Sequence, residues 1–324
     1  MEKIPRLMSA CLLLAASLLL AGCNDEAKLQ KAAEIGNDGV AAAQAYSDYA
    51  QATAGILSKQ CDLENFIDML AYRRSKSSVQ KAQQDMAMCA QDPDRQQTMA
   101  ELDLWSQDAL AMGKVYGALA NFAGPGADQT ISAAVNGLTS SVASAAKLHV
   151  SSGFGKALDA LAIAIEDHQT AKGVEAFASA MANVPTQMAK ILDHPDNAQA
   201  LDSIYSDYDV DLRSAVEAAY ANDVVNPDTT LEDFYATLGL QMPTGFQTDP
   251  YAIAFAQTLH PRAIAPLGAQ ERQKIVRMLQ NLSKETAQLG ALNEQRGSIR
   301  DQIDEIKSLR DRIHAVVDAS DSAK

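Results

Sequence analysis

The chain has 324 residues, of which 27 are Lys or Arg and 41 Asp or Glu, for a formal net charge of −14. A surface that acidic repels nucleic-acid phosphates and anionic headgroups, which argues against a polyanion as partner and implies no nucleic-acid role. Any hold on a membrane must then come from something other than charge.

The chain opens with Lys3 and Arg6 ahead of an apolar run from Leu7 through Leu20, broken only by Ser9, Cys11 and Ser17. This is a charged n-region followed by an h-region of secretory length, too short to span a membrane with flanks of its own. Next comes Leu20-Ala21-Gly22-Cys23. Small residues at Ala21 and Gly22 leave the backbone open to a peptidase, and Cys23 offers a thiol at the cut. The stretch resembles the lipobox of bacterial lipoproteins at all four positions, whereas an ordinary signal peptide would end in an A-x-A-like site. The resemblance covers only the first two dozen residues. It implies a signal peptide over 1–22 and lipidation at Cys23: a diacylglycerol on sulfur and, after cleavage, an acyl chain such as palmitate on the new amino group. Loss of 1–22 removes Glu2, Lys3 and Arg6 and takes the net charge from −14 to −15. Two or three acyl chains, at about 0.8 kcal/mol per buried methylene, make an effectively permanent anchor.

The same resemblance bears on location in the cell envelope. In enteric-type bacteria an aspartate directly after the lipidated cysteine retains a lipoprotein in the inner membrane. Here Asn24 stands there, followed by Asp25, so the outer membrane is favoured over the inner, with the body facing the periplasm.

With Cys11 lost and Cys23 lipidated, Cys61 and Cys89 remain, an even pair suited to an oxidising compartment. A disulfide between them requires the chain to reverse, because a straight helix over 62–88 at about 1.5 Å per residue would hold the thiols roughly 40 Å apart. Arg73-Arg74-Ser75-Lys76-Ser77-Ser78, polar and without apolar periodicity, is the expected turn. Two separate buried thiols are the alternative.

From Glu26 to about Lys59 no proline occurs, and Leu29, Ala33, Gly36, Val40, Ala43, Ala50, Ala54 and Leu57 recur at threes and fours. That spacing predicts a helix whose seam is made of unusually small residues, able to admit a closely packed neighbour. Leu63 to Leu70 reads as a short second helix and Val79 to Ala90 as a third. Asp92-Pro93-Asp94 ends that one and caps the next, which runs from about Arg95 towards Phe122 and carries Trp105 as a core aromatic.

Ala123-Gly124-Pro125-Gly126-Ala127 is a turn, and a further helix follows through Val135 and Leu138. Between Lys114 and Lys147 the only charge is Asp128. A hairpin buried within a bundle explains this low charge. The other reading is a membrane-active segment over 115–146, similar in outline to the apolar head of helical pore-forming toxins. Asn121, Ser132, Asn136, Thr139, Ser140, Ser141 and Ser144 make neither arm apolar enough to be called transmembrane.

Another helix is expected over 174–192, with Pro185 as a kink or break. From His194 to Pro266 prolines and tyrosines concentrate, and the helices shorten. Thr230-Leu231-Glu232-Asp233 opens one of them, closed by Gly239, and Asp249-Pro250 opens another. Such a region caps a longer bundle and is the best place for a binding groove.

Heptads counted from Ile275 put Ile275, Leu282, Leu289, Arg296, Ile303, Arg310 and Val317 at a positions. Met278, Glu285, Leu292, Ile299, Ile306 and Ile313 fall at d. The pattern predicts a coiled-coil helix from Ala269 to Asp318, roughly 75 Å long. Pairing with the N-terminal helix is favoured over a second copy, since Arg296 and Arg310 would weaken a homodimeric seam. Monomer and coiled-coil homo-oligomer both stay open.

Chemistry is sparse. The five histidines, His149, His168, His194, His260 and His314, form no metal-ligand spacing. Ser144-Ala145-Ala146-Lys147 fits S-x-x-K without its companion motifs. Asp207-Tyr208-Asp209-Val210-Asp211 resembles the start of a calcium loop, but Leu212 and Ala218 stand where glycine and glutamate belong, so a turn capping the helix from Leu212 is preferred. No metal, cofactor or catalytic residue is expected, and the chain does not read as an enzyme. The expectation is an all-α, elongated helical bundle with a long C-terminal coiled-coil helix packed on the N-terminal helix. It comprises a signal peptide (1–22), a bundle with the disulfide and hairpin (23–193), a Pro/Tyr-rich cap (194–268) and a coiled-coil helix with an acidic tail (269–324). Its expected role is a lipid-anchored scaffold or adaptor for a protein partner in the envelope.

Overall fold

The computed structural model describes residues 4–76, 78–121, 132–140, 178–225, 227–241, 250–258, 263–290 and 298–322, with side chains from residue 30 except at 227, 228, 233, 258, 290, 298 and 319–322. The fold is all-α, and no strand occurs among the described residues. Among the described residues nine helices have defined ends: α1 (Ile4–Ser75), α2 (Val79–Gln91), α3 (Pro93–Ala120), α4 (Asn183–Asp193), α5 (Pro195–Ala221), α6 (Pro227–Thr237), α7 (Pro250–Thr258), α8 (Ala265–Ala287) and α9 (Ser298–Ser322). Residues 132–140 are also helical.

Helix α1 is longer than expected. The short second helix over Leu63 to Leu70 is its continuation, because neither proline nor glycine interrupts the chain there. It stops within the polar run, after Ser75: Lys76 takes a left-handed φ of 52°, and the Ser78 hydroxyl accepts from the Lys81 N–H at 3.3 Å to start α2. The next junction follows its sequence signal closely. The Asp92 carboxylate accepts from the Asp94 N–H at 3.1 Å, and Pro93 occupies the first position of α3. Pro185 sits in the first turn of α4, where its missing N–H costs nothing, and the helical path is interrupted just before it at Ala182.

The chain forms two compact units, residues 1–48, 104–194 and 273–306 in the first and 49–103, 195–272 and 307–324 in the second. Both take pieces from all along the chain, so neither coincides with a sequence segment.

In the first unit α1 and α3 approach backbone to backbone. A Cβ on Gly36 would lie 2.5 Å from the Ala120 nitrogen, one on Gly39 2.1 Å from Tyr116 Cγ, and one on Gly113 2.9 Å from Ala43 Cβ. The small-residue seam therefore exists, and α3 covers its glycines. Its register differs from the expected one: Gly36 and Ala43 are buried, but Val40 is 41% exposed and Tyr46 lies on the inner face instead; further along α1, in the second unit, Tyr49, Ala50 and Leu57 are buried. Polar contacts between helices here are largely hydroxyl to hydroxyl, Ser47 to Ser106 at 2.8 Å, Tyr116 to Thr286 at 2.9 Å and Thr186 to Ser283 at 2.7 Å. Arg300 of α9 donates to Asp38 of α1 at 2.9 Å, so the C-terminal segment does pack on the N-terminal helix.

That segment is not one straight helix. It is divided into α8 and α9, with a 3-10 turn over Gln288–Gly290. Lys274 pairs with Glu305, 31 residues away; a continuous helix would hold them roughly 46 Å apart, so the chain reverses between them. Gly290 ends the 3-10 turn, and glycine is the poorest helix former after proline. The heptad reading holds for burial even so: Ile275, Met278, Leu282, Leu289, Ile299, Ile303, Ile306, Ile313 and Val317 are all buried. Leu292 and Arg296 lie outside the described residues.

Candidate functional site

Of Cys23 only the backbone, within α1, is described. Cys61 and Cys89, by contrast, are joined in the second unit, their Cα atoms 5.7 Å apart, with the reversal between them where the polar run placed it. Next to this staple Arg95 donates to Glu64 at 2.7 Å, and Tyr72 donates to Asp85 across the α1–α2 turn.

The three aspartates that suggested a calcium loop lie within α5, so neither a loop nor the capping turn preferred over it forms. The helix sends them apart. Asp207 and Asp211, four residues apart, share a face, and Asp209 is turned by about 200° from each. The carboxyl of Asp211 is raised above its ordinary value by burial and then by Glu64 and Asp207, with Arg95 opposing. Asp209 instead accepts from the N–H groups of Ile264 and Ala265 at 2.8 and 2.9 Å, capping α8 from a neighbouring helix.

Sequence reasoning missed the most concentrated polar assembly, a buried cluster in the second unit. Glu271, fully buried, accepts from Arg310 Nε at 3.3 Å, and Arg272 grips Asp202 through Nε and Nη2 at 3.0 and 2.9 Å. Beside them the Thr53 hydroxyl donates to the Tyr49 carbonyl at 2.9 Å, so its contact with Tyr205 at 3.0 Å must be donated by the tyrosine. Burial pushes the phenols of Tyr49 and Tyr205 up, followed for Tyr49 by the neighbouring Tyr205 and then Glu271, and for Tyr205 by Glu271. The approach is close: a Cβ on Gly268 would sit 2.4 Å from Tyr205 Cδ1. Arg310, the misfit of the apolar seam, is thus satisfied inside its own chain. Each carboxylate of this assembly meets a guanidinium, while the Tyr49 hydroxyl is buried without a hydrogen-bond partner among the described residues, which is the arrangement of a structural polar core that is not fully satisfied.

Among the described residues no group of three or more His, Cys, Asp or Glu is disposed to hold a metal ion. His149, His168 and His260 lie outside the described residues, as does Ser144-Ala145-Ala146-Lys147. Of the hairpin over 115–146, the described parts place Val115, Tyr116, Leu119, Val135 and Leu138 in the interior. No helix is long and apolar enough to cross a membrane among the described residues.

The cap segment carries the other notable surface. Helix α7 begins at Pro250 and α6 is closed by Gly239, as their sequence signals indicated, although α6 opens earlier, at Pro227. Ala252 and Ala256 of α7 turn inward with Tyr220 and Leu231 to make a small core of their own. Phe234 of α6 meets Phe255 of α7 edge to face, centroids 5.1 Å apart. At the end of α6 the Gly239 and Leu240 N–H groups donate to Ala236 and Tyr235, a Schellman closure made possible by Gly239 at φ 69°. The apolar residue after such a closure ordinarily packs back on the helix, yet Leu240 is 57% exposed, Leu238 56% and Tyr251 84%.

No protein-family model, no curated protein and no solved structure matches this chain.

Proposed function

We propose that this chain is a lipid-anchored protein of the bacterial envelope whose helical body faces the periplasm and serves as a scaffold or adaptor for a protein partner. The observation that carries the reading is Leu20-Ala21-Gly22-Cys23 directly behind a basic n-region and an apolar run of secretory length. Acyl chains on Cys23 fix the chain to one bilayer, with Asn24 favouring the outer membrane. The Cys61–Cys89 disulfide suits the oxidising side of the inner membrane. The role is binding rather than catalysis: buried Glu271 and Arg272 are paired with Arg310 and Asp202, and large apolar side chains stay exposed at several places, Val79 and Met88 on α2 and Leu240 and Tyr251 on the cap among them. An apolar seam covered within one chain, with Arg310 held by Glu271, supports a monomer over a coiled-coil homo-oligomer.

The test is chemical. Cells expressing the full chain are fed an alkyne fatty acid, and the N-terminal peptide is weighed. Acylated Cys23 as the first residue, lost in Cys23→Ser, is the expected result; an unacylated N-terminus elsewhere sinks the anchor. The low charge between Lys114 and Lys147 favours one alternative, a membrane-active hairpin. Liposome leakage that disappears in Val135→Glu without loss of fold supports that alternative, and an inert protein supports the adaptor.

A further inference from the structure

We propose that Glu64 is a redox guard: with Cys61 buried, the Glu64 carboxylate keeps small anionic thiols such as glutathione from opening the Cys61–Cys89 bond that holds α2 on α1. The proposal makes no use of Cys23 and stands apart from the anchor reading.

The bond matters because α2 has little else to hold it. Of its thirteen residues Ala82 alone is buried. Its side-chain ties to neighbouring helices are Tyr72 to Asp85 and Gln96 to the Ala90 carbonyl at 3.0 Å. A helix of this length is marginal in water by itself.

The two sulfurs differ in access, since Cys61 is 7% exposed and Cys89 is half-buried. An incoming thiolate therefore attacks Cys89 Sγ, forms a mixed disulfide there and expels Cys61 as a thiolate. Asn65 Nδ2 points an N–H at that sulfur from 3.7 Å. A second thiolate then attacks the outer sulfur of the mixed disulfide and releases Cys89. Two reagent thiols become one reagent disulfide, and their two protons end on Cys61 and Cys89.

Charge along that route is negative. Glu64 Oε2 lies 3.0 Å from Cys89 Sγ. Arg95 fixes it there, donating to Glu64 Oε1 at 2.7 Å and to the Leu57 carbonyl at 3.4 Å. The helical neighbours of Cys61 three, four and seven residues along α1 are Glu64, Asn65 and Asp68; those of Cys89 at the same spacings back along α2 are Met86, Asp85 and Ala82. Lys59, two positions before Cys61, is turned about 200° from it. Asp211 of α5 shares the field of Glu64, Asp207 and Arg95. Carboxylates thus outnumber the one guanidinium, and a thiolate carrying further negative charge is repelled.

The test is kinetic. The oxidised full chain, its free thiols first alkylated, is reduced at about 0.01 M ionic strength, where screening is weak. The reagents are glutathione, which carries a net negative charge besides its thiolate, and cysteamine, which carries a positive one. Each rate per thiolate is divided by that of the same reagent with 2-hydroxyethyl disulfide, and the cysteamine-to-glutathione ratio is read. The reagents differ by two charges, so at about 10 Å in a dielectric of about 70 one protein charge changes the ratio about fivefold.

The wild-type ratio should be at least about fivefold, and Glu64→Gln should lower it by about fivefold. Arg95→Gln breaks the same ion pair but removes the opposite charge, so it should raise the ratio by a similar factor. Potassium chloride at about 1 M, with a screening length of about 3 Å, should collapse the wild-type ratio. Acid-quenched glutathione adduct should map to Cys89. A wild-type ratio near one, a ratio unmoved by Glu64→Gln, a shift in the same direction in both variants, or an adduct on Cys61 each overturns the proposal. If Arg95→Gln fails to fold by circular dichroism, Glu64→Gln and the salt series decide it.

Discussion

The two compact units solve the same problem, how to pack helices with few large apolar residues, in opposite ways. In the first, glycines at 36, 39 and 113 let α1 and α3 touch, and hydroxyls link the helices. Little charge is desolvated, but space for even one extra methyl is gone. In the second, charged groups are taken inside: Glu271 with Arg310, Arg272 with Asp202, and phenols at Tyr49 and Tyr205 beside them. That arrangement gives up solvation and gains a specific pairing that only one register satisfies. Helix α1 contributes to both, so the contrast lies in what surrounds it. Close contact is intolerant of volume; an ionic core is intolerant of an unmatched charge.

The largest expected effect tests the ionic side. Arg310→Met leaves the Glu271 carboxylate buried without its guanidinium and should cost about 3–5 kcal/mol in urea unfolding. Adding Glu271→Met should restore most of that loss; if the single change costs under about 1 kcal/mol, the charges are not what organises the second unit. Reduction of the Cys61–Cys89 disulfide, which closes a separation of 28 residues, should lower stability by about 3.5 kcal/mol in the chain-entropy treatment. Calorimetry with and without reductant checks this.

Alkaline titration probes both units with the same kind of group. Burial raises the pKa of Tyr46 and Tyr116 in the first and Tyr49 and Tyr205 in the second. A phenol whose folded value exceeds its unfolded value of 10.0 contributes stability that is complete below that pH and is lost as pH climbs towards the folded value. Each unit should therefore lose up to about 2.7 kcal/mol per pH unit above 10, read as unfolding coincident with tyrosinate absorbance. Tyrosinate appearing at pH 10 with the helices intact would break the expectation.

The close-contact side is sharpened by two glycines on one helix. Gly36→Ala puts a methyl 2.5 Å from backbone and should destabilise by about 2 kcal/mol despite alanine's better helix propensity. Gly55→Ala meets nothing within 4 Å and should stabilise by about 0.5–1 kcal/mol, the smallest of these effects. Equal and favourable outcomes at both would remove the seam as an explanation.

Much of the fold was legible because its signals are local. The serine and lysine run after Arg74, Asp92-Pro93, Gly239 and Pro250 each mark a helix end through the conformation of a few adjacent residues. The heptad residues around Ile275 and Ile306 are buried as their spacing indicated. The exposed cap was legible only as a region, since composition located it and nothing in the sequence distinguished exposed Tyr251 from buried Tyr205. The polar core was not legible at all. Thr53 and Tyr205 are 152 residues apart, and Asp209 caps amides 55 and 56 positions away.

What the sequence determined by itself is an all-helical chain, several of the points at which its helices begin or end, which side of the C-terminal helices is apolar, and the pair of thiols able to meet. These follow from periodicity, capping and the reach of a short loop. Tertiary structure alone decided that the C-terminal segment reverses into two helices, that α3 covers the glycines of α1, and that Glu271 lies beside Arg310. Such choices depend on which distant side chains can be desolvated together, and no window along the chain contains both partners.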